Sequence, residues 1–300
     1  MNLKYLNPLS YVRPMGSRGL LNWMPDKLYL QLCYRSAFQK KLDLNNPKTF
    51  NEKLQWIKLY DRNPQYCTMV DKVDVREYIA RQLGEEYLIP VVGGPWNSPE
   101  EIDFDALPEQ FVLKCSHGSG TNILCTDKAQ LDIQKTKEKL AEWMKKSWFW
   151  YGREWPYKDL TPKIYAEAYM KDEETKELRD YKFFCFNGTV HYFKVDFDRF
   201  IGHRANYFDR NRNLMPFGEV VCPPVYEKQI RIPEEMDEMI VLAEKLAAGF
   251  PFLRIDFYVV NHKIYFGEIT CFPAAGFGRF CPDEWDEKLG SLMKLPLTER

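Results

Sequence analysis

Paired cysteines, clustered histidines, an excess of either charge and any long apolar run are all missing from this 300-residue sequence, and each absence removes a class of function. Basic and acidic residues nearly cancel, 42 against 43, so no overall field draws the chain to nucleic acid or to an anionic bilayer. The eight cysteines include no CxxC pair and sit mostly inside apolar runs such as FFCF. That pattern predicts buried, reduced thiols rather than a disulfide framework or a zinc site. Only four histidines occur, none paired at metal-ligand spacing. No stretch approaches the roughly 20 apolar residues of a membrane-spanning helix, and the start lacks the apolar core of a signal peptide. The expected location is the cytoplasm, with association at the inner face of the membrane left open.

What is present is an ordinary globular composition, 45% hydrophobic and 15% aromatic, enough to bury a sizeable core. GLLNWMPDKLYLQLCYRSAFQKKL carries apolar residues at helical spacing. NPKTFNEKLQWIKLYDRN repeats the pattern behind Thr49, with Glu52 three residues on, the signature of a capping box. A third helix ends at Gly84. From Phe111 the texture turns to strands: FVLKCS, TNILCT, KIYAEAYM, DYKFFCFNGTVHYFKVDF, FLRIDFYVV and KIYFGEIT. Helices intervene near Ile133 to Lys146 and before Gly249. Asn187-Gly188 between two alternating segments is a strong hairpin signal. The expected class is α+β with mainly antiparallel sheets and flanking helices.

The stretch FVLKCSHGSG, Phe111 to Gly120, runs a strand through Lys114 into a small glycine loop. It is not a P-loop, whose lysine follows the glycines, and it is not a dinucleotide fingerprint, because NILCT continues as a strand rather than a helix. Strand, lysine, loop, strand describes a hairpin lid whose lysine faces a nucleotide while loop amides cover phosphates. Taken alone, the loop is equally well a surface hairpin.

A second constellation lies in FLRIDFYVVNHKIYFGEIT, Phe252 to Thr270. Alternation puts Arg254, Asp256 and Tyr258 on one face of a strand, and Phe266, Glu268 and Thr270 on one face of the return. Asp256 and Glu268 are 12 positions apart, so they can be direct cross-strand neighbours only if the turn has an odd residue count. A three-residue turn at Asn261-His262-Lys263 is therefore expected. Two carboxylates meeting in a sheet need neutralising. Arg254 supplies part, and Mg²⁺, which favours oxygen ligands and substrate phosphates, is the natural remainder. For this hairpin in isolation, an exposed Arg-Asp-Glu ion-pair network is the simpler reading; beside a phosphate-type loop and an upstream lysine, metal and nucleotide become the better one.

With these parts in order, the chain resembles the ATP-grasp enzymes, and within them the TupA-like branch of bacterial surface-polysaccharide, capsule and teichuronopeptide biosynthesis. PDKLYL, NPKTFNEKLQWIKLYDRN, VDKVDVREYIA, FVLKCSHGSGTN, DYKFFCFNG and LRIDFYVVNHKIYFGEIT carry the likeness over most of residues 25 to 280. The resemblance implies an ATP-grasp architecture with the nucleotide between two subdomains. Its expected divisions are an N-terminal helical region at 1–110, a lid subdomain at 111–170 and a catalytic subdomain at 171–300.

It further implies ATP and Mg²⁺ as cofactors. Lys72 and Lys114 match nucleotide-contacting lysines, and His117, Gly118, Ser119 and Gly120 match the lid over the phosphates. Glu167, Ala168, Tyr169 and Met170 match the hinge beside adenine, with the Glu167 carbonyl accepting from the base. Asp180 and Lys182 match an acid-basic pair near the phosphates. Arg254 and Lys182 are the implied catalytic residues, and Asp256, Glu268 and Thr270 the metal ligands. Thr270 stands where asparagine is common, and alanines replace glycine and serine in CFPAAGF. The implied reaction joins a carboxylate to an amine through an acylphosphate, in or beside envelope-assembly machinery and without nucleic acid.

For the acceptor, Arg199, His203 and Arg204 are candidate carboxylate contacts, with a solvated loop as the equal alternative. Two rival enzymes use other signals. A glycosyltransferase would use the D-x-D sequence Asp196-Phe197-Asp198, and a sugar kinase would use the same ATP site with a hydroxyl as acceptor.

Overall fold

The computed structural model describes residues 8–173, 178–198 and 202–296. Arg199, one of the acceptor candidates, lies outside them.

The N-terminal third is helical: α1 (Val12–Ser17), α2 (Asp26–Phe38), α3 (Phe50–Tyr60), α4 (Gln65–Val70) and α5 (Asp74–Gln82). α3 starts where its sequence dictates. The Thr49 hydroxyl accepts from the Glu52 amide at 3.2 Å and the Glu52 carboxylate accepts from the Thr49 amide at 3.1 Å, a complete capping box. α5 stops before Gly84, whose φ of +126° suits glycine.

β1 (Val91–Trp96), β2 (Phe111–Cys115), β3 (Asn122–Cys125) and β4 (Ile164–Ala168) form an antiparallel sheet in the order β1-β4-β2-β3. Between β3 and β4 run α6 (Ile133–Met144), capped by the Asp132 side chain on the Lys135 amide, and the short α7 (Phe149–Gly152). Leu140 of α6 joins Phe111, Leu113, Cys115 and Ile164 in this sheet's own core.

The second sheet is larger. β5 (Asp180–Phe186), β6 (Thr189–Phe197), β7 (Arg204–Asp209), β9 (Phe252–Val260) and β10 (Lys263–Thr270) are antiparallel in the order β10-β9-β5-β6-β7. β8 (Gly218–Glu219) pairs with β11 (Phe280–Cys281). One face of the five-stranded sheet is apolar, and α8 (Met236–Ala247) packs on it through Met239, Ala243 and Leu246. α9 (Trp285–Leu292) closes against α3. Asn187-Gly188 turns the β5–β6 hairpin with φ of +48° and +81°, as the dipeptide predicts. All eight cysteines are free thiols, six of them buried.

One expectation fails. The β9–β10 turn has two residues, Asn261-His262, both left-handed at φ +49° and +61°, and Lys263 already pairs with Val260. Parity is corrected further up the hairpin, where the register shifts between Phe266 and Glu268. Gly267 is the extra residue of this bulge; a β-carbon there would lie 3.0 Å from the Asp256 carbonyl oxygen. Glu268 therefore pairs with Asp256 after all, through a bulge that the alternation pattern did not disclose.

Candidate active site

The polar face of the five-stranded sheet carries a row of charges fixed by register. Glu268 of β10 faces Asp256 of β9, Asp256 faces Lys182 of β5, and Lys182 faces Lys194 of β6. Arg254 and Asp180 stand one pleat away on the same face. Arg254 donates through Nε and Nη2 to the two Asp256 oxygens at 2.7 Å each, and Nη2 also reaches Glu268 Oε1 at 2.7 Å. Lys182 Nζ lies 2.6 Å from Asp180, 3.2 Å from Asp256 and 3.2 Å from Asp196. Lys194 bridges Asp196 at 3.6 Å and Glu219 at 3.0 Å. The Thr270 hydroxyl donates to Glu268 at 3.3 Å.

Across from this row stands the four-stranded sheet. Lys114 on β2 reaches diagonally to Glu167 on β4, with Nζ to Oε2 at 2.5 Å, and Arg76 of α5 binds the other Glu167 oxygen at 3.2 Å. Lys72 sits in the turn between α4 and α5. Asp71 builds that turn by accepting from the Val73 and Asp74 amides and the Ser116 hydroxyl. Lys72 Nζ then donates to the Gly118 carbonyl in the β2–β3 loop. Gly118, at φ +79°, lies under the Trp148 ring, so no side chain fits there.

Between the two sheets opens a cavity of about 1200 Å³. Lys72, Gly118, Ser119, Glu167, Arg254, Glu268 and Thr270 line it. Lys114, Asp180, Lys182 and Asp256 stand behind these residues and fix them.

The electrostatics follow from crowding charges in a dry place. Burial pulls Lys182 down, but Asp256 and Asp180 beside it more than reverse this, and it ends above its usual range. Arg254 is raised likewise by Asp256 and Glu268 against its own burial. Burial raises Asp256 despite Arg254 and Lys182. For Glu268 the balance tips the other way, with Arg254, Lys72 and Lys182 outweighing burial to lower it. Lys72 is lowered, chiefly by burial. Asp256 and Glu268 stand as cross-strand neighbours, and paired carboxylates are the hard oxygen donors that fit a divalent cation such as Mg²⁺.

The sequence matches the family model described as TupA-like ATPgrasp over residues 52–294. The chain belongs to the TupA-like ATP-grasp family. No curated protein matches it. Among solved structures it is similar to N5-carboxyaminoimidazole synthase from Aspergillus clavatus in complex with ADP and 5-aminoimidazole ribonucleotide. That match has 12% identity and a TM-score of 0.41, covering 69% of this chain and 46% of that one. It is also similar to D-alanine–D-alanine ligase from Bacillus anthracis complexed with ATP, at 16% identity and TM-score 0.40, over 68% of this chain and 55% of that one. A biotin carboxylase complex from Campylobacter jejuni matches at 15% and 0.42, over 94% and 55%. The chain thus spans about half the length of these structures.

Within this TupA-like ATP-grasp chain, the residues expected to act together divide into those the fold gathers and those it does not. Lys72, Lys114, Gly118, Ser119, Glu167, Asp180, Lys182, Arg254, Asp256, Glu268 and Thr270 converge as described. His117 turns away: its ring is buried against the end of α6, with Nε2 on the Trp143 and Lys146 carbonyls at 3.2 and 3.1 Å, and burial lowers its pKa. Gly120 is exposed with open space around it. Ala168, Tyr169 and Met170 follow Glu167 at the end of β4 without lining the cavity.

His203 and Arg204 stand at the β6–β7 end, also off the cavity wall, His203 Nε2 being 3.1 Å from Asp196. The D-x-D pair splits. Asp196 joins the charged row, whereas Asp198, at φ +53°, faces Lys228 at 2.8 Å. Asp196, His203 and Cys222 place donor atoms within 4.8 Å of one another, off the cavity wall. Sequence reading missed Arg76, Trp148, Glu154 and Lys194, which no local motif marks.

Proposed function

We propose that this protein is an ATP-dependent ligase that joins a carboxylate to an amine through an acylphosphate, with ATP between the two sheets. One observation carries the reading: the cross-strand carboxylates Asp256 and Glu268, held by Arg254, face, across one cavity, a lysine-bearing glycine hairpin. The adenosine end lies toward Glu167 and Tyr165, beside the segment ending β4, and the phosphates lie toward Lys72, Gly118 and Arg254. Asp256 and Glu268, with Thr270 alongside, would hold Mg²⁺, which when bound neutralises phosphate charge and polarises the transferring group.

The chain's own residues do the positioning. Lys72, Lys114 and Lys182 supply positive charge to the polyphosphate. Arg254, clamped by two carboxylates, is pre-oriented toward the group in transfer and then toward the acylphosphate oxyanion. A substrate carboxylate oxygen attacks the γ-phosphorus, ADP departs, and an amine lone pair displaces phosphate from the acyl carbon. Such transfer depends on placement and charge neutralisation more than on covalent help. The Lys72 bond to the Gly118 carbonyl keeps the loop against the site, so nucleotide entry exchanges that contact for phosphate.

The biological setting we infer is assembly of a bacterial surface polysaccharide or teichuronopeptide-type polymer, on the strength of the family resemblance. The glycosyltransferase reading loses support because Asp196 and Asp198 face different ways. Product mass analysis with ATP, candidate acids and amines tests the proposal. A new amide together with ADP and phosphate supports it, whereas a stable phosphate ester would make the protein a kinase.

A further inference from the structure

The cavity is too large for one small ligand. Its volume of about 1200 Å³ exceeds the roughly 300 to 1,000 Å³ usual for a single small-molecule site, and only one half faces the charged row. The other half is walled from Thr270 along the tight turn Pro273–Gly276 to Phe277 on one side, and by the N-terminal helices on the other. Those helices include α1 and α2, which lie before residue 52, where the family match begins. Ser10, Arg13 and Gln39 reach the cavity from there.

Two charged side chains distinguish this half. Arg13 holds its guanidinium over the rings of Phe277 at 5.2 Å and Tyr151 at 5.7 Å and donates to the Tyr151 hydroxyl at 3.4 Å. Among the described residues it has no carboxylate partner, unlike Arg153 and Arg279, which have one each, and Arg254, which has two. A planar cation stacked on aromatic faces keeps its in-plane N–H groups free for a planar or tetrahedral anion.

Glu154 lines the same cavity, as do Tyr157, Glu268 and Arg254. Among the described residues no donor hydrogen-bonds the Glu154 carboxylate. The three hydrogens of the nearby Lys58 are taken by Gln55, Gly152 and Ala275 at 3.1, 2.7 and 2.7 Å. The chamber thus offers an acid, Glu154, and a fixed cation, Arg13.

We propose that this second chamber seats the co-substrate, and that Arg13, supplied from outside the family-matched region, is a positioning residue for an anionic group remote from the substrate's reacting end. Glu154 receives the ammonium group of the amine substrate and accepts one of its protons, leaving the neutral amine whose lone pair attacks the acyl carbon. The proposal rests on the nucleotide reading above, since it takes the other half of the cavity as filled by ATP.

Saturation-transfer NMR on the full chain loaded with Mg²⁺ and AMP-PNP tests this. The probes are matched pairs: L-glutamate against L-glutamine, L-aspartate against L-asparagine, and D-glucuronate against D-glucose. We expect the more anionic member of at least one pair to bind preferentially. Its affinity should fall roughly tenfold to a hundredfold in Arg13→Met, the loss expected for a charge-assisted contact. Arg13→Lys should recover part of it, and the exposed Arg18→Met should leave it unchanged. AMP-PNP affinity should be the same in all four proteins, which also establishes that the variants are folded. Equal binding of charged and neutral members, wild-type affinity in Arg13→Met, or no probe binding to the nucleotide-loaded protein would each overturn the proposal. Failure of the wild type to bind AMP-PNP would instead overturn the nucleotide reading.

Discussion

Asp256 and Glu268 are equivalent in the proposed chemistry but not in their surroundings, and the difference sets a quantitative expectation for the nucleotide-free protein. Asp256 is 2% exposed and accepts three charge-assisted bonds, two from Arg254 at 2.7 Å and one from Lys182 at 3.2 Å. Asparagine keeps one acceptor oxygen and places an NH₂ group against N–H donors. Breaking a buried ion pair from one side costs about 3 to 5 kcal/mol. The acceptor oxygen that asparagine keeps puts Asp256→Asn at the low end, about 3 kcal/mol. Glu268 has a side chain 32% exposed, with a single Arg254 bond at 2.7 Å, and Glu268→Gln should cost about 1 kcal/mol or less. For a chain of this size about 2 °C of melting temperature corresponds to each kcal/mol. Thermal melts in EDTA should therefore show Asp256→Asn about 6 °C below wild type and Glu268→Gln within about 2 °C. If the two fall equally, or Asp256→Asn melts with wild type, the charged row is not the dry ion-pair lattice described.

Other expectations follow from single contacts. Burial pushes the Asp286 carboxyl up to about 6 although it accepts from Asn51. Its folded form thus binds a proton more tightly than its unfolded form, and its contribution, present below pH 4, is lost as pH rises through 6. The melting difference between Asp286→Asn and wild type should grow from pH 4 to 6 and then level off; a constant difference would refute this. Lys58 is pushed down to about 8 by burial, and Lys58→Met leaves three buried acceptors without their donor. We expect a loss of about 3 kcal/mol by urea denaturation at pH 7, growing above pH 8, where folded wild type has released the Lys58 proton that the unfolded chain still binds. Gly118→Ala forces a β-carbon into the Trp148 ring at φ +79°; AMP-PNP affinity by calorimetry should drop at least tenfold with little change in melting temperature. An unchanged affinity would mean that the loop does not close on the nucleotide.

What could be read from the residues was whatever is encoded locally. Thr49 with Glu52 announced a helix start, Asn187-Gly188 a hairpin, and Lys114 before its glycines a strand-loop-strand hairpin rather than a P-loop, because each depends on neighbours within a few positions. The pairing of Asp256 with Glu268 was reached by the wrong route. Parity alone demanded a three-residue turn, whereas the fold uses a two-residue turn and a bulge at Gly267, a device that one glycine in a strand only hints at. His117 was assigned with its loop, but its ring finds the open carbonyls at the end of α6, which lie 26 and 29 residues away. Arg13, Glu154 and Lys194 carried no local signal, since their importance arises only when distant segments meet across one cavity.

The central claim is that the space between the two sheets binds a magnesium-adenine nucleotide. Isothermal titration of wild type and Glu268→Gln with AMP-PNP and with UDP, each with and without Mg²⁺, tests it most directly. We predict saturable, Mg²⁺-dependent binding of AMP-PNP at least tenfold tighter than UDP, weakened at least tenfold in Glu268→Gln. Preference for UDP, or AMP-PNP binding indifferent to both Mg²⁺ and Glu268, would contradict the account.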